Sequence, residues 1–142
     1  MQAVQKFRIE LMTGRERSRL VSDDGIGSEV EGVILEAQFQ CSRGYLVITS
    51  DDNPHEEILH FYFLDDAGQV LDELSLGQIY HSGVLRNVVP QSDDRLEFSF
   101  FGTERWSITI LDKPIIQLPG LFSSVRRRGW LGPHYLSIEK IA

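Results

Sequence analysis

A chain of 142 residues, 42% hydrophobic and 25% charged, has the size and balance of one domain able to bury its own core, and its composition is neither disordered nor fibrous. The formal net charge of −7 argues against general nucleic-acid binding, which needs a concentrated positive surface. The lone Cys41 cannot form an internal disulfide, the start from Met1 lacks a signal-peptide core, and no run approaches the roughly 20 apolar residues of a membrane helix, so a cytoplasmic protein away from membranes is expected.

Along the chain, Phe7, Ile9 and Leu11 alternate with charged residues, which predicts a strand over Val4 to Met12. Thr13 to Gly32 mixes glycines with Ser and Asp and reads as a long loop with room for one helical turn. Val33, Leu35, Ala37, Phe39 and Cys41 then share one face of a half-exposed strand. A turn at Ser42 to Gly44 leads into a strand over Tyr45 to Thr49. The next strand, Glu57 to Leu64, is apolar on both faces, with Leu59, Phe61 and Phe63 on one and Ile58, His60, Tyr62 and Leu64 on the other. It is the expected centre of the fold, covered by a second sheet on one side and by a loop or helix on the other.

Asp65, Asp66, Ala67 and Gly68 form the strongest hairpin signal, a type I turn closed by a left-handed glycine. The return strand, Gln69 to Leu76, turns Val70, Leu74 and Leu76 inward, with Asp72 an interruption that must be solvated or hydrogen-bonded. Ile79 to Val89 is extended and broken at Ser82-Gly83, and Pro90 to Asp94 is the loop that follows. Leu96, Phe98 and Phe100 pair with Trp106, Ile108 and Ile110 in an aromatic-rich hairpin. Lys113 to Pro133 is rich in Pro and Gly and therefore irregular, with a short helix expected over residues 121–128, before a final edge strand over Tyr135 to Ile141. These elements give an all-β fold, a single domain over residues 1–142. It is an antiparallel β-sandwich or strongly bent barrel of about eight or nine strands joined by meander-like hairpins.

Three groups of residues could carry function. Residues 113–142 hold five basic side chains against one acid, and within them Arg126, Arg127, Arg128 and Trp130 combine guanidiniums that clamp carboxylate or phosphate with an indole that stacks. Arginine and tryptophan are also enriched at interface hot spots, so this is the expected partner-binding surface. A second possibility is a ligand pocket lined by Phe61, Phe63, Phe98, Phe100 and Trp106, residues that serve equally well as solid core. The third is the acidic loop 51–57, where Asp51, Asp52, His55 and Glu56 could hold a divalent ion for an enzyme, although their spacing departs from the calcium-loop pattern.

Histidines 55, 60, 81 and 134 lack the spacing of a zinc pair. His60, set between Ile58 and Tyr62, reads first as a hydrogen-bonded core histidine and second as a buried base. No Gly-x-Ser-x-Gly elbow and no glycine-rich phosphate loop is present, so neither nucleophilic hydrolysis nor a nucleotide cofactor is indicated. The expectation is a non-enzymatic interaction module that needs no cofactor and binds a protein partner or a second copy of itself, without nucleic acid or membrane.

Overall fold

The computed structural model describes residues 1–13, 17–25, 27–51, 57–77, 83–115, 125–127 and 133–142. Thirteen strands and no helix occur among them: β1 (Gln2–Ala3), β2 (Phe7–Leu11), β3 (Arg17–Ser22), β4 (Gly27–Glu31), β5 (Ile34–Cys41), β6 (Gly44–Ser50), β7 (Ile58–Leu64), β8 (Val70–Gly77), β9 (Arg86–Pro90), β10 (Arg95–Ser99), β11 (Arg105–Ile115), β12 (Val125–Arg127) and β13 (His134–Lys140). All pairings are antiparallel. They build a six-stranded sheet in the order β1-β5-β6-β7-β8-β12, a four-stranded sheet β13-β11-β10-β9, and a three-stranded sheet β2-β3-β4. The arrangement is a layered sandwich with no closed barrel among the described residues, which decides between the two architectures the sequence allowed.

The six-stranded sheet is the middle layer because its two central strands are apolar on both faces. From β6 and β7, Leu46, Ile48, Leu59, Phe61 and Phe63 join Leu74 and Leu76 of β8 against Leu96, Phe98, Trp106, Ile108, Ile110 and Leu136 of the four-stranded sheet. The opposite face sets Tyr45, Val47, Tyr62 and Leu64 against Phe7, Leu20 and Val30 of the three-stranded sheet. Each fully buried side chain of this size stabilises the fold by about 1.5–3 kcal/mol relative to exposure. Every residue of β6 is buried, and so is all of β7 except half-buried Ile58.

The hairpin between β7 and β8 follows the sequence reading. Gly68 has φ 83°, and its N–H donates to the Asp65 carbonyl at 3.0 Å. The Asp65 carboxylate accepts from the Ala67 and Gln69 N–H groups at 2.9 and 3.0 Å, an Asx arrangement that fixes the register. Gly44, with φ 148°, starts β6 where an added Cβ would run into the Leu64 carbonyl oxygen, so glycine is required there.

Several expectations are corrected. Within the range 13–32 expected to be a loop, Arg17–Ser22 and Gly27–Glu31 are the paired strands β3 and β4, which build the third sheet, so β7 is covered by two sheets rather than by one sheet and a loop or helix. Its inward positions include Ser18, buried and donating its hydroxyl to the Gly32 carbonyl at 2.6 Å, so apolar alternation could not reveal it. In β5 a bulge between Leu35 and Ala37 breaks the shared face: Ala37, Phe39 and Cys41 meet the larger core, and Leu35 meets the smaller one. Pro90 ends β9 instead of opening a loop, and β11 runs on through Lys113 and Pro114 to Ile115. Within the range expected to be helical, Val125–Arg127 is a strand paired with Leu74, Ser75 and Leu76 of β8, while residues 121–124 and 128 lie outside the described residues.

Candidate functional site

The middle sheet is covered by the smaller sheet near β6 and β7, and its face turns polar toward β8 and β12. The register makes Thr49, His60, Ser75 and Arg126 lateral neighbours on successive strands, so all four side chains share one face. Arg17 of β3 and Glu31 of β4 overhang this row, and together they line a cleft of about 440 Å³.

Glu31 is pinned from both sides of its backbone. Its N–H donates to the Tyr62 hydroxyl at 2.7 Å, and its carbonyl accepts from the Thr49 hydroxyl at 2.7 Å. Burial pushes the Tyr62 phenol well above its usual range, so it stays a neutral strut near neutral pH. The Glu31 carboxylate lies 3.4 Å from Arg17 and 3.4 Å from the Nδ1 of His60. His60 itself is 3% exposed. Its Nδ1 is 2.7 Å from the Ser75 hydroxyl, and its Nε2 is 3.0 Å from the Asp51 carboxylate. A neutral imidazole offers one donor and one acceptor, and a single proton placement uses both: Nε2–H donates to Asp51, and the Ser75 hydroxyl donates to Nδ1. The hydrogen-bonded core histidine expected from sequence is therefore also one end of a polar cleft.

Two residues of the arginine run, Arg126 and Arg127, are among the described residues, and both border the cleft. Successive residues of a strand face opposite ways, and Arg126 is exposed toward the cleft with no carboxylate partner among the described residues. Arg127 enters the contact between sheets, where its Nη1 lies 3.7 Å from the Asp72 carboxylate. Burial draws the Arg127 pKa down while Asp72 opposes the shift. Asp72 also accepts from His134 Nδ1 at 3.2 Å and from the N–H groups of Tyr135 and Leu136 at 2.8 and 2.9 Å. Arg128 and Trp130 lie outside the described residues.

The other sequence candidates separate similarly. Phe61, Phe63, Phe98, Phe100 and Trp106 all belong to the core between the middle and four-stranded sheets, with the Phe61 and Phe98 rings 5.4 Å apart. Of the acidic loop, Asp51 is engaged by His60, and Asp52, His55 and Glu56 lie outside the described residues. Among the described residues no group of three or more His, Cys, Asp or Glu side chains is arranged to hold a metal ion.

Sequence reasoning missed Ser75, Glu31 and Arg17. The Asp65–Gly68 turn carried the signal for Ser75, because counting back along both arms brings residue 75 opposite residue 60 once the bulge beside Leu64 is allowed for. Glu31 and Arg17 lay in the segment read as a loop. No family model, curated protein or solved structure matches the chain.

Proposed function

We propose that the protein is a binding module that engages an extended, acidic segment of a protein partner along β12. One observation carries this reading: among the described residues β12 is the outermost strand of the middle sheet, with β8 on one side and no strand on the other, and Arg126, which has no carboxylate partner among them, stands above the cleft. An exposed edge offers main-chain N–H and C=O groups to an added strand, and a guanidinium beside it selects for a carboxylate. The sequence continues past β12 with Arg128 and Trp130, residue types that recur at interface hot spots. Two copies joined edge to edge through β12 would bring their arginines together, which favours an acidic partner over self-association.

The reading includes a cytosolic setting, supported by the single thiol of Cys41, which is buried. Among the described residues no helix is long and apolar enough to cross a membrane.

Fluorescence anisotropy with a labelled peptide alternating Glu and Val, set beside its Lys–Val counterpart, tests the proposal. The acidic peptide is expected to bind more tightly, to weaken as salt rises, and to lose its advantage in Arg126→Glu. Equal binding of the two peptides, or binding unchanged by the substitution, would overturn the assignment. A stoichiometric dimer in native mass spectrometry that dissociates in Arg126→Glu would replace the outside partner with a second copy.

A further inference from the structure

The cleft beneath Arg126 holds more than a binding surface requires: a serine hydroxyl, an imidazole and a carboxylate in one hydrogen-bonded series, at 2.7 and 3.0 Å. We infer that Ser75, His60 and Asp51 form an acyl-transfer centre for small carboxylic esters, with Ser75 as nucleophile, His60 as base and Asp51 as the residue that positions the imidazole. This goes beyond the partner-binding reading and does not depend on it.

The roles follow from the hydrogen bonds. Ser75 is half-buried and lines the cleft, so an ester carbonyl can reach its oxygen, while the nearly buried imidazole is held on both nitrogens. With Nε2–H donated to Asp51, Nδ1 is left as the acceptor of the Ser75 proton, the arrangement an activated serine needs. The two ring nitrogens exchange the places they hold in the familiar serine hydrolases, and the logic of base and orienting carboxylate is unchanged.

The Ser75 oxygen bonds to the carbonyl carbon as its proton passes to Nδ1, and the carbonyl π pair moves onto oxygen. The tetrahedral intermediate then collapses, breaking the bond to the alkoxide, which leaves as the alcohol with the proton from Nδ1. Water repeats the sequence on the acyl-serine, releasing the carboxylic acid and restoring the serine. The imidazolium formed in each half-reaction lies between Asp51 at 3.0 Å and Glu31 at 3.4 Å. Arg126, opposite Ser75 in register and on the same face, provides the positive charge for the oxyanion.

The test is labelling by a fluorophosphonate probe, read as intact mass and mapped by peptide sequencing. The expected result is one adduct per chain, on Ser75, absent in Ser75→Ala, a small change at a half-buried position. Asp51→Asn should slow labelling by about 100-fold, and Asp51→Glu should recover part of the rate, which a merely structural role would not do. No adduct on the folded wild-type protein, or an adduct undiminished in Ser75→Ala, would overturn the inference. The peptide-binding measurement uses no reactive probe, so the failure of one proposal is distinguishable from the failure of the other.

Discussion

Asp72 shows how much one side chain can be asked to hold. It is 6% exposed and sits in the contact between the middle and four-stranded sheets, where an unpaired carboxylate would be costly. Its oxygens instead receive the Tyr135 and Leu136 N–H groups and His134 Nδ1, and the Arg127 guanidinium forms an ion pair with it at 3.7 Å, tying β13 and β12 to β8. Asp72→Ala would leave these donors buried without their acceptor, and a loss of about 3–5 kcal/mol is expected in urea denaturation. Leu71→Ala, one residue away on a 41% exposed side chain, should stay within about 0.5 kcal/mol of wild type. If the two variants unfolded at the same urea concentration, the Asp72 network would contribute nothing to stability. The sequence announced that Asp72 needed a partner, but the partners lie more than 50 residues further along the chain, where no local pattern could name them.

At the scale of elements, legibility tracked the amount of apolar surface each strand turns inward. β7 and the β10–β11 hairpin were plain because Phe61, Phe63, Phe98 and Trp106 alternate with residues of other faces. β3 and β4 were hidden because Ser18 and Ser28 occupy positions where an apolar residue would mark a strand. Their hydroxyls are satisfied by the carbonyls of Gly32 and Gly68. β12 was hidden because Arg126 and Arg127 carry charge on both faces, so only its pairing with β8 reveals it. The candidate site shared this fate: Asp51, His60 and Arg126 were each conspicuous, but their meeting depends on registers that a linear reading does not contain.

Turns show the same long reach. The β5–β6 turn is fastened to the β9–β10 loop by Ser42, which donates its hydroxyl and its N–H to Asp93, and these bonds, the hydroxyl's first, hold that carboxyl below the usual range. A carboxyl depressed in the folded state contributes stability in full above its unfolded value, and that contribution is lost as pH falls through the folded value. The destabilisation caused by Ser42→Ala should therefore be evident at pH 7 and shrink as the pH is brought below about 4. Urea midpoints for both proteins at each pH provide the comparison. An effect of equal size at acid pH would mean that the hydroxyl acts by packing and not through the Asp93 charge.

For the whole molecule, the order of the layers predicts where the structure opens first. An amide exchanges slowly when its hydrogen bond breaks only with wide unfolding, and β6 and β7 meet that condition twice over. Each is paired on both sides and covered on both faces, by Leu20 and Val30 above and by Phe98 and Ile108 below. Among the described residues β12 has three residues and one paired neighbour, and β9 is an edge strand whose residues are mostly exposed. Hydrogen exchange followed by mass spectrometry should find β6 and β7 the most protected segments, with β9 and β12 exchanging orders of magnitude faster. Val30, fully buried in the smaller core, separates the layers: Val30→Ala should speed exchange in β2, β3 and β4 while leaving β10 and β11 near wild type, because these belong to different cores. Equal acceleration in all three sheets would show instead that the two cores open as one unit, with β6 and β7 transmitting the loss from one face to the other.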